Sequence, residues 1–292
     1  MAGETMNQIT LESTLPSRWK AISMRRRRVF ACVATLLAIE LFWCFNQFIL
    51  GRLGNASLFS GSVLLACLFM LVAIGARRRL MMLPLRSVST WLQIHLYTGI
   101  FACAVFVIHV PRIIANGWFE GILSWLFITV SASGIYGIFA SRTIPKRLTA
   151  VPTQPRYDRI DWHRDQYRKA GAGIFESLTS DNGGDVLEDF YARQLQPYFE
   201  SGLPLLFRIQ PNPRRRRALL AELGDLKRYL SGDSLDAANR FSALVRHRDE
   251  LDYHHGLQWK LRSWVIIHAA LSLVLVVWAV VHAGFAFVML GR

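Results

Sequence analysis

Paired cysteines, alternating strand patterns and a complete nucleotide-binding glycine loop are all missing from this 292-residue chain. Its four cysteines, Cys32, Cys44, Cys67 and Cys103, are scattered through apolar stretches with no CxxC spacing. That excludes a disulfide framework, a cysteine-rich metal site and a CxxCH covalent haem attachment. Gly171-Ala-Gly173 followed by Glu176 is an incomplete GxGxxG with no strand before it, so dinucleotide binding is not expected. There is no internal repeat and no low-complexity tract. Acid is also scarce: 20 Asp and Glu stand against 34 Lys and Arg, a net charge of +14. In a soluble chain that excess would suggest nucleic acid. Here 52% of residues are hydrophobic and the mean hydropathy is +0.27, so basic residues placed on one side of a membrane explain it better. We expect no nucleic-acid partner, and membrane lipid as the main surrounding.

What the chain does have is five long apolar stretches, at 29–50, 57–76, 91–110, 118–140 and 264–288. The first follows Arg25–Arg28 and reads as a retained anchor rather than a cleaved signal. The expected fold is all-α: an integral membrane bundle of five transmembrane helices, with a cytoplasmic, mainly helical insert between the fourth and fifth. Residues 1–28 form a cytoplasmic tail, 29–140 helices one to four, 141–263 the insert and 264–292 the fifth helix. Within the insert, helices are expected at about 158–180, 185–199, 213–230 and 235–262, the last able to run straight into the fifth span. Divided by this topology, Lys and Arg number 6 before the first span, 4 between the second and third, 21 in the insert and 3 outside. The asymmetry puts the N-terminus in the cytoplasm and the C-terminus outside, in a membrane such as the bacterial inner membrane.

Four of the eight histidines lie inside apolar stretches, on two of them only, and at one spacing: His95 and His109, His268 and His282. Fourteen residues of helix climb ~21 Å and return to within ~40° of the starting azimuth. Each pair therefore forms a vertical stripe, with one imidazole near each membrane face. The third and fifth spans run in the same direction, so His95 and His268 share an inner level and His109 and His282 an outer one. Imidazole is a good axial ligand for haem iron, and a separation of ~21 Å rules out one shared metal ion. The expected cofactors are two haems, the inner held by His95 and His268 and the outer by His109 and His282. Gly99 and Ser272, each four residues beyond an inner histidine, keep side chains small on that face. Arg112 is placed for the outer propionates; Arg79, Arg86, Lys260 and Arg262 are placed for the inner ones. Glu120, at the outer mouth of the fourth span, is a candidate proton acceptor for a quinol. The small residues Ser131, Ser133, Gly134 and Gly137 suit close packing or a flat ligand. Ionisable side chains in spans are usually functional, yet histidines hydrogen-bonded between helices or lining a proton path remain the haem-free alternative.

Paired His-x13-His helices resemble the di-haem membrane cytochromes b, including the cytochrome b of quinol:cytochrome c reductases and the ferric reductase/NADPH oxidase transmembrane domain. Placement on the third and fifth spans is more similar to the ferric reductases. The resemblance implies haem b on His95, His109, His268 and His282 and electron transfer across the membrane. It implies an electron-transfer subunit of an oxidoreductase complex, with no catalytic residue of its own. Its partners would be a cytoplasmic dehydrogenase or quinone on one side and an outer-face cytochrome c on the other. A quinol-oxidising or quinone-reducing subunit is the nearest alternative.

Overall fold

The computed structural model describes residues 17–52, 55–76, 88–110, 114, 117–149, 157–178, 184–212 and 214–290. Every regular element among them is helical, and no strand occurs among the described residues. Four helices come first: α1 (Ser17–Gly51), α2 (Ala56–Ala76), α3 (Val88–His109) and α4 (Trp118–Thr149). Shorter elements follow: a 3-10 turn (Tyr157–Arg159), α5 (Ile160–Glu176), α6 (Gly184–Phe190), a π segment (Tyr191–Leu195), α7 (Gln196–Glu200), α8 (Leu205–Ile209) and α9 (Arg214–Leu226). After a second 3-10 turn (Lys227–Tyr229), α10 (Gly232–Leu290) runs unbroken for 59 residues. Gly232 enters that helix at φ 56°, a left-handed conformation that a side chain would strain.

Five of these helices, α1 to α4 and α10, are long and apolar enough to cross a membrane. Their outward faces remain apolar: Phe30, Leu41 and Val107 are each about two-thirds or more exposed, as suits helices surrounded by lipid. The long α10 joins the insert's last helix to the fifth apolar stretch without a break, as its spacing of Phe241, Leu244, Val245 and Leu251 allows. Helix α4 continues past residue 140 to Thr149 with Pro145 inside it. Helix α8 was not expected from the sequence, because five residues between Pro204 and Pro211 are too short to show a helical period.

The chain divides into two compact units, Met1–Gly134 with His268–Arg292, and Ile135–Ile267. In the first, α3 packs against α1 and α2. Its core is Leu68, Phe106, Phe127, Leu275, Val276 and Ala279, with Phe106 stacked on Phe127 at 4.1 Å. In the second, residues of α6, the π segment, α7 and α9 close over Ala237, Ala238, Phe241 and Val245 of α10. Gly171 of α5 admits the Phe199 ring, which would sit 3.3 Å from an added Cβ.

The second unit also buries charge, and it does so by saturation. Arg248, 2% exposed, donates to the carbonyls of Phe199 and, at 2.6 Å, Ser201. Asp252 accepts from Arg164 at 2.6 Å and lies 3.5 Å from Arg248. The phenol of Tyr198, under the Arg248 guanidinium, is pushed far above its ordinary range by burial and then by Asp252 and Asp249. At the surface, by contrast, Lys169 and Arg168 hold the Asp165 carboxyl below the usual carboxylate range while all three stay in water. Arg248→Ala would strand two carbonyls in the interior and should cost roughly 3–5 kcal/mol. Thermal unfolding followed by proteolysis within residues 160–255 should show that loss, and Arg168→Ala should leave the midpoint unchanged.

Candidate functional site

Two helical rods set the heights of the four membrane histidines. Residues 95 and 109 lie in α3, and 268 and 282 lie in α10, with no interruption between the members of either pair. The rise argument therefore holds in both, and each pair spans ~21 Å along its own axis.

At the first level the imidazoles of His95 and His268 face each other, ring centres 6.3 Å apart and planes at 71°. Nδ1 of His268 is 3.2 Å from the Ser133 hydroxyl of α4. Nδ1 of His95 is buried and has no hydrogen-bond partner. Gly134 passes close by, leaving 3.8 Å between an added Cβ and Cε1 of His268. Beside Gly99, one turn beyond His95, no atom comes within 4 Å of where a Cβ would stand. The space beside α3 is open there. Ser272 does not turn outward: its hydroxyl donates to the His268 carbonyl at 2.7 Å, within its own helix.

At the second level His109 and His282 line one cavity of about 360 Å³. Its wall is mainly aliphatic and aromatic, with Ser57, Ser62, Ser124 and Glu120 as the other polar contributors. Nδ1 of His109 lies 2.9 Å from the Ser60 hydroxyl, which itself donates back to the Ala56 carbonyl. The neighbouring glycine makes this approach possible, since a Cβ on Gly61 would meet Cε1 of His109 at 3.0 Å. On the other side Phe119 lies nearly parallel to His282, ring centres 6.2 Å apart, and its carbonyl accepts from the Trp278 indole at 3.2 Å.

Ser60, Gly61 and Phe119 were not singled out in the sequence. The run Ser60-Gly61-Ser62, small and polar inside an otherwise apolar stretch, is the signal that could have found the first two. Ser133, expected as a small residue for close packing or a flat ligand, also meets the His268 ring. Of the cations placed for propionates, Arg112, Arg79 and Arg86 lie outside the described residues. Arg262 stands 4.1 Å over the Tyr157 ring in a cation–π contact. Among the described residues no cluster of three or more His, Cys, Asp or Glu is arranged to hold a metal ion.

No protein-family model, curated protein or solved structure matches the chain.

The pairing of levels makes a prediction that needs no ligand. With Cys32, Cys44, Cys67 and Cys103 replaced by serine, cysteines at 95 and 268, or at 109 and 282, should be joined by a short bifunctional thiol reagent. The diagonal pair 95 and 282 should stay unjoined. Equal yields for all three would mean that the rods are not held in this register.

Proposed function

We propose that this chain is a di-haem b-type cytochrome subunit that carries electrons across a membrane. The donor would be a cytoplasmic dehydrogenase or a quinone, and the acceptor an outer-face protein such as a cytochrome c. His95 and His268 would hold one haem and His109 and His282 the other. The observation that carries this reading is the 6.3 Å between the His95 and His268 ring centres. Two imidazoles sharing one iron, each with a metal–nitrogen bond of ~2 Å and a ring centre ~1 Å further back, stand about 6 Å apart. When bound, each haem would supply a one-electron ferric/ferrous couple.

The chain's own residues have separate tasks. Ser60 and Ser133 meet Nδ1 of His109 and His268, which fixes the ring orientation. Gly61 and Gly134 let helix backbones come close to those rings, and the open side of Gly99 leaves room for a flat macrocycle. Phe106, Phe127 and Leu275 fill the interior of the first unit with apolar groups and exclude water. Low dielectric there keeps ions from crossing where electrons can. The basic excess of 1–28, 77–87 and 141–263 supports a five-span topology with a cytoplasmic N-terminus and an outer C-terminus, as in a bacterial inner membrane.

A reduced-minus-oxidised spectrum with haem quantified per purified chain tests the reading. We expect b-type bands and about two haems per chain, with His109→Ala or His282→Ala leaving about one. Absence of haem from protein expressed with ample haem supply would favour histidines that line a proton path.

Glu120 gives the quinol-oxidising alternative a specific footing, because its carboxyl lines the same cavity as His109 and His282. If a quinol is oxidised there, Glu120→Gln should slow turnover by roughly 10²-fold while haem content stays constant. Unchanged quinol turnover would leave electron transfer between protein partners as the better account.

A further inference from the structure

We propose that residues 203–212 and 214–217 form a docking surface for an anionic lipid bilayer. The inference rests on the membrane character of the chain and not on haem. The segment is a closed loop with a fixed base. Its entry is held by Arg248, which donates to the Ser201 carbonyl at 2.6 Å, and by Leu203, which is 7% exposed. Its exit returns to the same residue, Arg215 donating to the Ser201 hydroxyl at 3.3 Å. Between them the single turn of α8 lies against α10 at Gly256, where an added Cβ would be 3.4 Å from Pro211 and 3.5 Å from the Phe207 carbonyl.

With that inner edge packed, the outer edge is left apolar. Leu205, Leu206 and Ile209, at the i, i+1 and i+4 positions of one turn, are 67%, 76% and 55% exposed. Exposed leucines on an otherwise anchored loop gain nothing from water. The flanking charge names the occupant. Four consecutive arginines, 214–217, follow directly, their helix opened by Asn212, whose Oδ1 accepts from the Arg214 amide at 3.0 Å. Arg216 is paired with Asp249, whereas Arg214 and Arg217 are exposed and make no ion pair among the described residues. Aliphatic tips beside guanidinium groups that make no ion pair match acyl chains beside phosphate headgroups. Helices able to cross a membrane belong to the same chain, so lipid is present at high effective concentration.

Hydrogen exchange of the full chain in nanodiscs tests this. In discs containing phosphatidylglycerol, amides of residues 205–210 should exchange about five-fold or more slowly relative to discs of phosphatidylcholine alone. Leu206→Asp and the double change Arg214→Gln with Arg217→Gln should each abolish the difference. Amides of residues 241–245 should exchange alike in all samples and report that the fold is intact. Equal rates at 205–210 in the two lipids would overturn the proposal, as would slowing that survives Leu206→Asp. Haem content is a separate readout and is expected to be the same throughout.

Discussion

A polar ring inside an apolar span must find a partner for its nitrogens, and the first unit is organised by how four imidazoles meet that requirement. Water is excluded and an unpaired nitrogen is costly. Two of the rings are met on Nδ1 by serines from other helices, Ser60 for His109 and Ser133 for His268. A third, His95, keeps a buried Nδ1 without any hydrogen bond. His95 and His268 stand with centres 6.3 Å apart, and the other two share a cavity. The second unit solves the burial of polar groups in the opposite way. There Arg248 is bound by two carbonyls and Asp252 by two arginines. Saturated groups of that type build a fold.

Glycine and serine do most of the positioning at the histidine levels. Gly61 and Gly134 bring helices α2 and α4 up to the His109 and His268 rings, and the open side of Gly99 keeps α3 bare on the same face as His95. None of these contacts needs a long side chain, which explains why a stretch that is otherwise uniformly apolar carries Ser60-Gly61-Ser62 where it does. The stacked rings of Phe106 and Phe127 lie in the core of the same unit and close it to water.

The helical class and the five long apolar segments were legible because length and hydropathy alone determine them. So was the continuity of α10, through the recurrence of Phe241, Leu244, Val245 and Leu251. The two-level arrangement was legible as arithmetic: equal spacing on two helices running the same way needs no knowledge of packing. The partners of the rings were not legible. Which hydroxyl reaches which nitrogen depends on the rotation of α2 and α4 about their axes, and a small residue in a span reads the same whether it packs or bonds. Ser272 shows the converse, since its hydroxyl is spent on the His268 carbonyl although its position one turn beyond that histidine suggested a freer face. Helix α8 was hidden for a different reason: one turn between two prolines has no period to detect, yet its Leu205 and Leu206 are among the most exposed apolar groups of its unit.

The central claim is that iron porphyrin joins imidazoles across the gap between α3 and α10. Electron paramagnetic resonance of the oxidised, purified protein reads the iron's ligands directly. This account predicts low-spin ferric signals from two centres with paired imidazole ligation, one of them lost in His95→Ala. A high-spin signal from an iron with an open position, or no ferric haem signal in protein that is correctly folded, would contradict it.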